Sequence, residues 1–148
     1  MGNIVAICIS EKKGTRKNAV RTALVREDHG LENDAHAGFQ HRQVSLLALE
    51  KIEAFRKRGA LVTHGDFGEN FVVSGIDLAS LPVGSRLSSG EMLLEITQIG
   101  KECHSHCAIY HSMGECIMPA QGVFARVLRG GEVRVGDSMR VCGRPSGE

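Results

Sequence analysis

Short apolar runs separated by Gly, Asp and Pro dominate the chain and predict a mostly β protein. Ile4–Ile9 is rich in β-branched residues and is too short for a typical helix. Further strands are predicted at Ala19–Arg26, at Phe71–Val73, at Met92–Ile99, and between Val123 and Val141 around turns at Gly130–Gly131 and Gly136–Asp137. Many short strands with regular glycines are typical of a small, closed or nearly closed β-barrel.

One segment has the spacing of a helix. The helix is expected from Leu46 to Arg58. Ser45 before it is a favourable N-cap, and Gly59 after it is a common stop. Its apolar positions recur at steps of three: Leu46, Leu49, Ile52 and Phe55. We expect a packing helix without a chemical role.

The length of the chain suits one domain. Its 148 residues, 42% of them hydrophobic, can bury one substantial core. We expect a single domain over residues 1–143 and a frayed tail at 144–148. Asp28–Gly38 has almost no large apolar residues and is expected to be a loop, where functional side chains are commonly displayed.

Charge and composition exclude several classes of function. Eighteen basic and seventeen acidic residues give a net charge of +1, so no overall field attracts nucleic acid or an anionic membrane. No stretch is apolar enough to span a bilayer, and no secretory signal precedes Ile4–Ile9. Five cysteines without an export signal favour reduced thiols over disulfides. We therefore expect a cytoplasmic protein that binds neither nucleic acid nor membranes.

Reactive side chains are concentrated in residues 101–116, KECHSHCAIYHSMGEC, which we name the cysteine–histidine segment. Cys103, Cys107 and Cys116 with one histidine would supply four zinc ligands, but the spacing differs from the usual C-x2-C pattern. Alternatively, Cys103 is a nucleophile whose pKa is lowered by Lys101 and His104.

Signatures of nucleotide hydrolysis, dinucleotide binding and serine hydrolysis are absent.

Two other stretches are rich in polar residues. Around Asp34 the chain also carries His36, His41 and Arg42, and an arginine offers a bidentate fork to phosphate or carboxylate. The structural alternative is a turn held by bonds from Asp34 to backbone. In Gly65–Asn70, two glycines bracket Asp and Phe, which suits either an anion-holding nest of backbone amides or a tight turn.

Together these stretches resemble the MOSC family, named for the C-terminal domain of molybdenum cofactor sulfurase, and especially its short stand-alone bacterial members. The resemblance rests on Asp34–Leu47, Gly65–Asn70, Leu81–Gly90, Gly100–Cys107, Cys116–Gly131 and Val135–Asp137. It implies a β-barrel of strongly bent strands with a few helices. It also implies an association with the molybdenum cofactor and a hallmark sulfur-carrying cysteine, which is Cys103 here. Asn33 departs from the glycine expected there, but Asn tolerates a positive φ.

The resemblance leads to the hypothesis of a sulfur-carrier domain. Cys103 would bear a persulfide beside His104, and Cys107 or Cys116 would be the resolving thiol. The cofactor-binding residues expected are Asp34, His36, His41, Arg42, Glu69, Asn70 and Arg126. The chain has no pyridoxal phosphate site, so its sulfurtransferase-type activity would need a cysteine desulfurase or another sulfur donor. The expected acceptor is a molybdenum enzyme or a cofactor-biosynthesis protein. Alternatives are a module that binds molybdenum cofactor or its precursor without covalent chemistry, and a small zinc protein.

Overall fold

The structure, a computed structural model, describes residues 2–10, 17–35, 37–38, 42–100, 117 and 121–143. Strands dominate these residues, as predicted. The strands are β1 (Gly2–Ile9), β2 (Asn18–Val20), β3 (Thr22–Arg26), β4 (Gly30–Leu31), β5 (Val44–Ala48), β6 (Phe71–Ser74), β7 (Arg86–Ser89), β8 (Met92–Ile99), β9 (Val123–Arg129), β10 (Gly131–Arg134) and β11 (Ser138–Gly143). A helix, α1 (Leu49–Lys57), and a short 3-10 turn, Leu78–Ser80, accompany them. The predicted mostly β class is confirmed.

Seven of the strands form a closed barrel, in the order β11-β7-β8-β9-β5-β6-β1. The ring closes where Gly2 and Asn3 of β1 pair with Met139 and Ser138 of β11. The other end of β1 pairs with β2, and the pairing of β5 with β6 is parallel. Strands β10, β3 and β4 form a separate small sheet. The predicted barrel is therefore confirmed.

Alternation along the barrel strands separates two hydrophobic clusters. Inward positions, such as Leu46, Phe71 and Ala125, belong to the cluster that fills the barrel. Their neighbours point to the opposite side, which we name the outer face. There a second cluster packs against α1: Ala6, Cys8, Leu47, Ile52, Phe55, Ala60, Phe67, Val72 and Phe124. The helix thus covers part of the outer face of β1, β6, β5 and β9.

The prediction of a helix from Leu46 with Ser45 as its N-cap was wrong at its start. Val44–Ala48 is a strand, and all five of its side chains are buried. The strand pairs with β6 on one side and β9 on the other, so its backbone hydrogen bonds are made across the sheet. The helix begins at Leu49 and ends at Lys57, and its buried residues are Ile52 and Phe55, as the spacing predicted. Within the described part of the chain, no helix is long and apolar enough to cross a membrane.

Two smaller differences concern the segment before β5. The predicted strand Ala19–Arg26 is divided at Arg21 into β2 and β3, which join different sheets. The predicted loop Asp28–Gly38 contains the short strand β4, which pairs with β3. Asn33 has a φ of 69°, so this asparagine does occupy the left-handed conformation expected of the glycine it replaces.

Candidate functional site

A row of side chains crosses the outer face near one end of the helix-covered cluster. Strand register places Asn70 beside Ser45, since Phe71 pairs with Leu46. Ser45 pairs with Phe124, and Phe124 pairs with Gln98 on β8. Asp34 reaches the row at Asn70, and Arg42 reaches it at Gln98 and Phe124. Residues far apart in sequence, which were predicted to bind the cofactor, therefore lie along one row.

The Asn70 end of the row is a buried polar network, formed by Ser10, Lys17, Asp34, Ser45 and Asn70. Lys17 Nζ lies 2.6 Å from Asp34 Oδ1, and both side chains are almost completely excluded from solvent. Asp34 Oδ1 also accepts a hydrogen bond from the Ser10 amide at 3.0 Å, and Asp34 Oδ2 accepts one from Asn70 Nδ2 at 3.1 Å. Buried charges need such partners. The Asp34 carboxylate is thus bound on both oxygens by the protein itself.

Asn70 connects this network to three strands. Its Nδ2 also donates to the Cys8 carbonyl at 3.0 Å, and its Oδ1 accepts from the Ser45 amide at 3.0 Å. The Ser45 hydroxyl lies 3.0 Å from the Asn70 amide, which donates to it, and 3.0 Å from the Gly68 carbonyl. One carboxamide therefore fixes the ends of β1, β5 and β6 relative to Asp34.

Glu69 lies in the adjacent loop, Gly65–Asn70, and is fully buried. Its carboxylate accepts hydrogen bonds from the amides of Gly65 at 3.0 Å and Phe67 at 3.1 Å. Burial raises the pKa of Glu69, and these amide bonds oppose the rise. The loop is therefore an amide cradle, as one interpretation of its glycines predicted, but the anion in it is the protein's own carboxylate.

The loop also requires a glycine at its first position. Gly65 has a φ of 94°, and a Cβ placed there would lie 2.0 Å from the Lys17 carbonyl oxygen. The Lys17 amide donates to the Gly65 carbonyl at 3.0 Å. This close backbone approach joins the Glu69 cradle to the buried polar network.

The other end of the row is partly exposed. The Arg42 guanidinium carbon lies 5.3 Å from the centre of the Phe124 ring, and Arg42 Nε donates to Gln98 Oε1 at 3.1 Å. Arg126 follows Phe124 on the same face of β9, about 7 Å further along the strand. Its side chain is 50% exposed and lies 3.6 Å from Asp28 at the nearest atoms. We name Arg42, Gln98, Phe124 and Arg126 the arginine face.

The cysteine–histidine segment begins three residues after Gln98 of the arginine face in sequence. It follows Gly100, whose amide donates to the Gly122 carbonyl at 2.6 Å, and Gln98 Nε2 donates to the Gly100 carbonyl at 2.8 Å. Further along, Ile117 packs against the outer cluster. The predicted residues Cys103, His104, Cys107, Cys116, His36 and His41 lie outside the described residues. Their assigned roles stay predictions, as does the zinc alternative.

The two described cysteines differ sharply. Burial and the nearby Glu69 carboxylate raise the pKa of the Cys8 thiol to about 12, so Cys8 is an unreactive thiol inside the outer cluster. Cys142 is exposed on β11. Among residues 2–10, 17–35, 37–38, 42–100, 117 and 121–143, no group of three or more metal-ligating side chains is close enough to hold a metal ion.

Sequence reasoning missed several residues of the row. Lys17 ends a basic stretch that was interpreted as a turn after β1. Ser45 was interpreted as a helix cap, and Gln98 was one polar position of an alternating strand. Only Ser45 carried a usable signal, because it lies within an apolar run that suits a buried strand. Lys17 and Gln98 are defined by partners distant in sequence, which no local pattern reveals.

Comparisons with known proteins agree with this architecture. A family model described as MOSC domain matches residues 33–140. A crystal structure of the YuaD protein from Bacillus subtilis superposes with a TM-score of 0.78, at 21% identity, with 94% of each chain covered. The structure of YiiM from Geobacillus stearothermophilus gives a TM-score of 0.74 at 21% identity, covering 99% of this chain and 78% of that one.

YiiM from Escherichia coli gives a TM-score of 0.69 at 18% identity, covering 99% of this chain and 72% of the other. At these identities the solved structures establish a shared fold. None of the curated proteins matches this chain in sequence.

Proposed function

Because the chain belongs to the MOSC domain family, we propose that it is a sulfur-carrier domain that delivers persulfide sulfur from Cys103 to a metal–pterin acceptor. The family is associated with the molybdenum cofactor, so the chain is a domain related to that cofactor. The sulfur-transfer step and its residues are our proposal, since one fold can carry several activities.

One observation carries the proposal: a guanidinium group lies beside the point where the cysteine–histidine segment begins. Arg42 is joined through Gln98 to the Gly100 carbonyl by two hydrogen bonds of 3.1 and 2.8 Å. Gly100 is the residue before Lys101. An anionic acceptor held by Arg42 would therefore be bound close to the start of the segment that contains Cys103.

Sulfur loading is a thiol exchange in which atoms and charge balance. The Cys103 thiolate attacks the outer sulfur of a persulfide on a cysteine desulfurase or another donor. The donor's S–S bond breaks, a new S–S bond forms on Cys103, and the donor leaves as a thiolate. No net oxidation occurs. Cys8 is unsuited to this role, because a thiol with a pKa of about 12 is protonated at neutral pH.

Sulfur release needs a second thiol. Cys107 or Cys116 attacks the inner sulfur of the Cys103 persulfide, a disulfide forms, and the outer sulfur leaves as hydrosulfide. The two cysteines are oxidised and the transferred sulfur is reduced, so the electrons balance. Two external thiols then reduce this disulfide before the next cycle and are themselves joined as a disulfide.

The arginine face suits the anionic part of a pterin cofactor. Arg42 and Arg126 place two guanidinium groups on one partly exposed face, with Arg126 also paired to Asp28, and arginine binds phosphate oxygens bidentately. Asp34, Glu69 and Asn70 have all their described hydrogen bonds inside the protein, so they would fix the site's frame around a bound cofactor. When bound, the cofactor supplies the metal that accepts sulfur.

Mass spectrometry tests the proposal. After incubation with a cysteine desulfurase and cysteine, we expect one added sulfur on the peptide that contains Cys103. Cys103→Ala is expected to abolish the label, whereas Cys142→Ala, which removes an exposed thiol on β11, is the matched control and should leave it unchanged. Equal labelling of wild type and Cys103→Ala would show that the assignment is wrong.

A second function, non-covalent binding of molybdenum cofactor or its precursor, is favoured by the arginine face, because Arg42 and Arg126 need no thiol to hold an anion. The two functions differ in their response to substitution. If binding is the function, Cys103→Ala keeps the cofactor affinity and supports full cofactor transfer. If the sulfur carrier is the function, Cys103→Ala keeps the affinity but delivers no sulfur.

A further inference from the structure

Gln98 points to the outer face because β8 contains a bulge. Ile96 of β8 pairs with Ala125 of β9, and Gln98 pairs with Phe124, the residue adjacent to Ala125. Thr97, between Ile96 and Gln98, is therefore the extra residue of the bulge. Ile96 belongs to the barrel core, and regular alternation would direct Gln98 inward as well. The bulge reverses that direction, and the Thr97 hydroxyl donates to the Phe124 carbonyl at 3.2 Å.

Both ends of the Gln98 carboxamide are engaged. Oε1 accepts from Arg42 Nε at 3.1 Å, and Nε2 donates to the Gly100 carbonyl at 2.8 Å. The backbone bond therefore fixes the orientation of the carboxamide, which in turn selects the orientation of the guanidinium. The Arg42 guanidinium carbon also lies over the Phe124 ring, 5.3 Å from its centre.

We propose that Gln98 is a positioning residue: it orients Arg42 so that the two terminal nitrogens of the guanidinium bind a phosphate or pyrophosphate oxyanion. With Nε on Gln98, the NH1 and NH2 groups form the fork that matches two oxygens of such an anion. In the described part of the chain, no carboxylate forms an ion pair with Arg42. The inference rests on the proposed function only in assigning an anion to Arg42.

A double-mutant cycle with inorganic pyrophosphate tests this proposal. Calorimetric titration at fixed pH and ionic strength gives the Kd for wild type, Gln98→Met, Arg42→Lys and the double variant. We expect Gln98→Met to weaken binding about tenfold, as loss of one hydrogen bond to a charged group would. In the Arg42→Lys background the same change is expected to alter the Kd by less than about twofold, because lysine has no Nε–H for Gln98 to hold.

A merely structural role gives a different pattern, in which Gln98→Met changes the affinity equally in both backgrounds. Ser89→Ala is the matched control, since it removes a part-buried side-chain hydrogen bond, 2.7 Å to the Ser138 carbonyl, on another side of the barrel. It is expected to leave the Kd unchanged. Equal losses in the two backgrounds, or no binding of pyrophosphate by wild type, would overturn the proposal.

Gln98→Glu gives a second measurement should Gln98→Met not fold. The carboxylate keeps an acceptor for Arg42 Nε but loses the donor to Gly100 and adds a charge that competes with the anion. Affinity is expected to fall further than in Gln98→Met, and an unchanged Kd would contradict the proposal. Sulfur labelling of Cys103 is measured separately, so failure of sulfur transfer and failure of the Gln98 assignment are distinguishable.

Discussion

Asp34 and Arg42 lie on the same connection into β5, yet their side chains have opposite situations. Asp34 is buried, and the protein's own donors occupy both of its oxygens. Arg42 is half-buried on the arginine face, where its Nε donates to Gln98 and its guanidinium carbon lies over the Phe124 ring. Polar residues of one motif can therefore be held entirely inside the protein or lie partly exposed at its surface, and their partners decide which.

The largest expected effect concerns a buried residue and is a loss of reactivity of the Cys8 thiol. Cys8 lies beside Glu69 with a pKa raised from 9.0 to about 12, which lowers its thiolate fraction about a thousandfold. Iodoacetamide is therefore expected to alkylate exposed Cys142 in the folded protein and Cys8 only after unfolding. Comparable alkylation rates for the two thiols, measured by peptide mass spectrometry, would contradict the burial of Cys8.

The next largest effect concerns the ion pair. Lys17→Met leaves the Asp34 carboxylate buried without its cation, and we expect the free energy of unfolding to fall by about 3–5 kcal/mol. Arg26→Met is the matched control, because it breaks an exposed pair with Glu32 and should cost below about 1 kcal/mol. Urea unfolding measures both. Similar losses of unfolding free energy in the two variants would mean that the buried network does not stabilise the fold around the site.

On the open side, Arg42→Gln should affect binding more than folding. We expect pyrophosphate affinity to fall at least about tenfold, because the charged fork is lost. The cost in unfolding free energy should stay below about 1.5 kcal/mol, as expected for one hydrogen bond and one contact with an aromatic ring. A large loss of stability with unchanged affinity would assign Arg42 to the frame instead.

The smallest effect is a pH dependence. Burial raises the pKa of Glu69, so the folded protein keeps the Glu69 proton to a higher pH than the unfolded chain does. The stability that this proton confers is fully present below the pKa that Glu69 has in the unfolded chain. It is lost as the pH rises through the pKa that Glu69 has in the folded protein. Wild type should therefore lose stability relative to Glu69→Gln over that window. Urea unfolding at several pH values measures the difference, and a rise with pH would contradict the assignment.

Sequence patterns predicted the barrel well because its strands carry local signals. Ile4–Ile9 and Met92–Ile99 have β-branched or alternating residues, and both are strands. The helix start was wrong because Leu46 fits a spacing of three by coincidence: it packs inside the barrel, whereas Ile52 and Phe55 pack on the outer cluster. Pairing of β5 with two neighbouring strands overrides the helical pattern.

The site was predictable only in part. Arg42 and Arg126 were identified by residue type. Strand register places Arg126 on the face of Phe124, and Arg42 reaches that face through its contacts with Gln98 and Phe124. Lys17 and Gln98 were missed because their roles depend on a long-range ion pair and on a bulge, neither of which leaves a local trace in sequence. Asp34, Glu69 and Asn70 were predicted to bind the cofactor, and that role stays a prediction. Residue type alone does not reveal that their described partners are internal.

The closure of the barrel between β1 and β11 has a consequence for the order of folding. Gly2 pairs with Met139, so nearly the whole chain must leave the ribosome before the ring can close. Contacts so distant in sequence slow folding. The cysteine–histidine segment precedes β11 and is therefore synthesised while the barrel is still open. Its thiols are thus exposed to the redox conditions at the site of synthesis before the barrel has closed.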